Sequence, residues 1–121
     1  MHTADDHSST AFDRGYEVWL ISEARKRNAA IHTSGLEWGV PGWVNEGGFF
    51  GENNTQYMLA WIRGLKERKK ITLDSISLGR NEAGYDVEWI KKTRQAMNDA
   101  GFAAVKAVSY THLTLPTTPY V

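Results

Sequence analysis

The chain has 121 residues, 41% of them apolar, with five tryptophans and no cysteine. This describes one packed core rather than a disordered segment, and excludes a disulfide framework and a thiolate site. Fourteen basic and fourteen acidic residues cancel, so no net field gathers nucleic acid or an anionic membrane. No run approaches the ~20 apolar residues needed to span a bilayer, and MHTADDHSST lacks the apolar core of a signal peptide.

In chain order, Asp13 to Asn28, DRGYEVWLISEARKRN, places Tyr16, Trp19, Leu20 and Ala24 at helical spacing. Arg25, Lys26 and Arg27 fall at the negative end of the helix dipole. A first helix burying that apolar face is expected. Ala30 to Leu36, AIHTSGL, is too short for a helix and runs into the Gly- and Pro-punctuated EWGVPGWVNEGGFFG, so it reads as a strand followed by a long loop. Asn54 to Lys70 reads as a second helix with Asn54 as N-cap and Met58, Trp61, Ile62 and Leu65 as its buried stripe. Its KERKK end is a solvated last turn rather than a nucleic-acid patch. Leu73 to Gly79 reads as a second strand. Asp86 to Ala100 is a third helix, capped by Asp86, packing Trp89, Ile90, Ala96 and Met97, and closed by Gly101 at a left-handed position. Ala104 to Ala107 begins a third strand.

Strands joined through helices are parallel strands with right-handed crossovers. The fold class is α/β, and two architectures fit: an open doubly wound sheet and a piece of an eight-stranded barrel. In both, chemistry collects where strands end. Those places are Glu37 to Trp43 and Arg80 to Tyr85. Trp19, Trp61 and Trp89 lie on helix faces, where core packing explains them. Trp38 and Trp43 lie in a Gly/Pro loop and serve either to stack on a sugar ring or to anchor the loop. The run DSISLGRNE stops at a glycine and then delivers Asn81 and Glu82 side by side, a proton donor beside a hydrogen-bonding amide. His2, His7, His32 and His112 lack the i, i+4 spacing of a helical metal pair, and GGFFGENN is not a phosphate loop. Neither a metal nor a cofactor is expected.

Taken jointly, RGYEVWLISEARKRN, GLEWGVPGWV, AWIRG and SISLGRNEAGYDVEWIKKTRQAMNDAGF resemble the galactosylceramidase (galactocerebrosidase) group of retaining glycoside hydrolases, family 59. The likeness runs from about Met1 to Val108. It implies a fragment of a TIM (β/α)8 barrel, with about three parallel strands and interleaved helices. Within it Glu82 matches the general acid/base, Asn81 the neighbouring amide that holds a sugar hydroxyl, and Trp38 the tryptophan lining the galactose pocket. The implied substrate is galactosylceramide, a related glycolipid or another β-galactoside, and the implied compartment lysosomal or secreted. A retaining glycosidase needs a second carboxyl about 5–5.5 Å from the first, and the family places it on a later strand.

Two positions depart from the family pattern: Arg80 stands where it has Trp, and Glu37 where it has Pro. An arginine beside Glu82 lowers that acid's pKa unless its side chain points away or pairs with Glu37. The remaining acids, on or before helices, offer no nucleophile, so the isolated chain is expected to be inactive. The stretch VSYTHLTLPT from Val108 to Thr117 is what a transposon-end sequencing adapter encodes. Residues 108–121 are therefore expected to be a non-native tail, and 1–107 a partial barrel. Rival readings are a glucosylceramidase-like or xylanase-like enzyme of the same clan, and a non-catalytic α/β binding module.

Overall fold

The computed structural model of the chain describes residues 12–80 and 84–108. The elements alternate: α1 (Glu17–Arg27), β1 (Ser34–Gly35), a short 3-10 turn (Asn45–Gly47), α2 (Glu52–Lys69), β2 (Ser75–Ser77), α3 (Val87–Asp99) and β3 (Lys106–Val108). The strands form one parallel sheet in the order β1-β2-β3, with Gly35 level with Ile76 and Ile76 with Ala107. The expected α/β arrangement of three parallel strands is therefore present. The paired segments are shorter than the expected strands, although the ladder frays outwards through Asp74 N–H to Thr33 O (2.9 Å) and Leu78 N–H to Val108 O (2.9 Å).

The helices start and stop where local chemistry satisfies their ends. Asp86 caps α3, its carboxylate accepting the Trp89 N–H at 2.8 Å, and Gly101 follows with φ 89°, both as expected. α2 ends differently. Its last turn closes on Lys70 at φ 57°, a left-handed conformation usually left to glycine.

Two expectations need correction. Tyr16, Trp19 and Leu20 are exposed, Trp19 at 63%, so the apolar face assigned to α1 does not face the core. The inward stripe is Val18, Ile21 and Arg25. Arg25 fixes this rotation because its guanidinium donates to Thr72 O (2.7 Å) and Thr33 Oγ1 (2.8 Å), where the strands begin. The second correction concerns Asn54, which does not cap α2. The N-cap is Gly51, and Asn54 lies within the first turn, fully buried, its amide engaged by groups outside the helix.

One core joins helices and sheet, with Leu65, Ile71, Leu78 and Met97 almost wholly out of water. At about 25 cal/mol per Å² of apolar surface, burial of this kind is the main force holding the sheet to its helices. α2 and α3 meet through the buried hydroxyls of Thr55 and Thr93, 2.9 Å apart. Trp89 is fixed by its indole N–H to Gly51 O (3.0 Å). Phe12 packs directly on Gly64, where a side chain would collide with its ring.

Candidate functional site

The parallel register puts the C-terminal ends of β1 and β2 at one edge. Since Gly35 is level with Ile76, Glu37 comes level with Leu78. The loop that follows β1 turns back into α2, and this brings Asn54 under Glu37. Asn54 Nδ2 donates to Glu37 Oε2 at 2.8 Å and to Phe49 O at 3.0 Å. Asn54 is 0% exposed, so water does not compete for either bond. Burial pushes the Glu37 carboxyl up from 4.5 to about 7, against the opposing pull of the Asn54 amide. A carboxyl so placed holds a proton over part of the neutral range.

Beside it lies a cleft of about 190 Å³ whose walls include Glu37, Trp38, Tyr57, Met58 and Trp61. Its floor depends on Gly35, because a Cβ there would stand 2.8 Å from Trp61 Cζ3. Trp38 is 69% exposed and presents its indole to solvent at the mouth. Trp43 instead meets Tyr57 edge-on, with ring centroids 5.9 Å apart, which is loop anchoring. A wider depression lined by Lys66, Lys70, Thr72 and Phe102 lies where β2 begins, at the opposite edge. Its carboxyl, Glu67, shares the lining with the cations Arg63, Lys66 and Lys70, and no tryptophan takes part in it.

Of the residues expected to form the site, Trp38 stands at this cleft. Asn81 and Glu82 lie outside the described residues, as does the stretch 109–121 of the expected tail. Their flanks are placed: Arg80 N–H donates to Gly84 O at 2.9 Å. The Arg80 guanidinium lies 5.7 Å from the Phe49 ring centroid, a cation–π contact. Among the described residues it makes no ion pair with Glu37, whose partner is Asn54. The sequence offers Glu37 as the start of a strand-end loop, a departure from the family pattern and a candidate partner of Arg80, Asn54 as a cap and Trp61 as core. Their juxtaposition depends on the return path of a loop between residues 37 and 54, which no local pattern specifies. Among the described residues no three His, Asp or Glu side chains gather to hold a metal, and no helix is long and apolar enough to cross a membrane.

The profile of glycosyl hydrolase family 59 matches residues 1–115. The chain belongs to that family. It is similar to galactocerebrosidase of Canis lupus familiaris (38% identical over 120 residues, 96% of this chain), of Danio rerio (37% over 113 residues, 90%) and of Homo sapiens (37% over 117 residues, 93%). The chain spans 16–17% of the length of these relatives. The segment shared with family 59 thus includes both strand ends described above, with Trp38 after β1 and Asn81–Glu82 after β2.

Proposed function

We propose that this chain is part of a retaining glycoside hydrolase that cleaves the β-galactosidic bond of galactosylceramide or a related glycolipid. The observation that carries the reading is membership of family 59 across a span that holds Trp38 and Glu82, alongside relatives named galactocerebrosidase. The fold is compatible with it. Consecutive strand order and the packing of α2 on α3 suit a segment of a (β/α)8 barrel, in which active sites gather at the strand C-terminal ends.

In this reading Trp38 covers the apolar face of the sugar and Asn81 holds a ring hydroxyl. Glu82 gives its proton to the glycosidic oxygen as the bond breaks, then takes a proton from the water that releases the sugar. The attacking carboxylate comes from sequence outside these residues.

The test is galactose release from a chromogenic β-galactoside. The 121-residue chain gives none. A longer clone containing this segment turns over, and Glu82→Gln lowers its kcat by a factor of at least about 100. Turnover untouched by Glu82→Gln refutes the assignment.

A further inference from the structure

Glu37 has no part in the chemistry just described, yet its setting is that of a working group. It directly precedes Trp38 and lines the same cleft. Among the described residues no cation pairs with it: its hydrogen bond comes from the neutral amide of Asn54, and Arg80 is held over Phe49. An ion-pair role in stability is therefore absent among the described residues. Asn54 is committed to holding it. Both bonds of that buried amide, to Glu37 and to Phe49 O, come from its nitrogen, while its Oδ1 is buried without a hydrogen-bond partner among the described residues. Burying an unmatched acceptor is unfavourable, and what the placement secures is the position of the Glu37 carboxyl.

The cleft offers two chemistries in contact. An exposed indole covers an apolar C–H surface, and a carboxyl with an acceptor to spare binds hydroxyl hydrogens. A pyranose presents that same pair, an apolar face edged by hydroxyls. Sites built to bond a substrate hydroxyl discriminate strongly against analogues lacking it, because their own polar group is then left unmatched. We propose that Glu37, mounted on Asn54, is a specificity-determining residue that accepts a hydrogen bond from one hydroxyl of the sugar stacked on Trp38. The inference rests on the glycoside-site reading above and adds a contact made by a residue that departs from the family pattern.

The experiment is a binding cycle on the full 121-residue chain, read by saturation-transfer NMR with methyl β-galactoside and its singly deoxygenated analogues. Wild type binds the galactoside, and Trp38→Ala abolishes the signal. Glu37→Ala weakens the galactoside about tenfold or more but leaves unchanged the affinity for one deoxy analogue, which wild type already binds as weakly. Glu37→Gln, which keeps an oxygen for Asn54 and the side-chain volume, gives the same selective loss and serves if the alanine variant fails to fold. Trp38-dependent binding in which both Glu37 variants weaken all analogues equally, or none, overturns this inference alone. Absence of Trp38-dependent binding in wild type overturns the glycoside site and this inference with it.

Discussion

A methyl group on Gly35 would stand 2.8 Å from Trp61 Cζ3 and 3.3 Å from Ile76 Cγ1, so β1 meets the α2 indole with no side chain between them. Both neighbours are parts of the cleft wall, and the ring is too large to step aside without opening the core. Gly35→Ala is expected to destabilise the chain by about 1–3 kcal/mol, the usual range for overpacking. Urea unfolding followed by tryptophan fluorescence measures it. The same substitution displaces Trp61 and so changes the native emission as well as the midpoint.

A related close approach joins Phe12 to Gly64 in the middle of α2. Helix propensity alone favours alanine over glycine by roughly 1 kcal/mol. Here the new methyl falls on the Phe12 ring, which is 4% exposed and has little room to move. Overpacking outweighs propensity, and Gly64→Ala lowers stability by about 1–2 kcal/mol net. In the Phe12→Ala background the sign reverses, because the obstacle is gone and the propensity gain remains. A double-mutant cycle in denaturant reads this directly.

Glu37 gives a pH dependence of definite sign. Its carboxyl ordinarily titrates at 4.5 and is pushed up to about 7 in the folded chain, so the folded state holds a proton that the unfolded state gives up. Stability from this group is fully present below pH 4.5, falls as pH rises, and is lost once pH passes about 7. The full change is at most about 3 kcal/mol. Glu37→Gln removes the slope. The difference in unfolding free energy between wild type and this variant, taken at pH 5 and pH 8, isolates it from every other titrating group; no change in that difference refutes it.

Much of the fold was legible because it rests on local signals. Asp86 followed by an apolar helical stripe and then Gly101 defines α3, and helices between short apolar runs define parallel strands. The face of α1 was not legible: Trp19 and Leu20 have the right spacing for a core, but rotation is decided by Arg25 reaching Thr72 O and Thr33, partners distant in sequence. The local signal of a tryptophan in a loop after a strand marked Trp38 and Trp43 alike; in the fold Trp38 lines the cleft while Trp43 packs on Tyr57. The pairing of Glu37 with Asn54 was not legible, because a capping asparagine and a buried mounting asparagine look alike until the loop between them is folded.

Asp74 lies at the opposite edge from the cleft and tests whether stability and binding separate. Its Oδ2 accepts from Thr33 N–H at 2.7 Å and Thr33 Oγ1 at 3.1 Å, with Arg25 Nη2 at 3.4 Å. The Thr33 backbone bond first, then its hydroxyl and the charges of His32 and Arg25, hold the carboxyl below its ordinary 3.8. A depressed folded pKa means that stabilisation is present above 3.8 and lost as pH falls through the folded value. Asp74→Asn should therefore lower Tm at pH 7 and lose most of that deficit in strong acid, where the wild-type carboxyl is itself protonated. Ligand affinity at the Trp38 cleft stays unchanged in the folded variant, since the bonds lost lie where β1 and β2 begin. A Tm gap that persists undiminished in acid would assign the effect to hydrogen-bond geometry rather than to the charge.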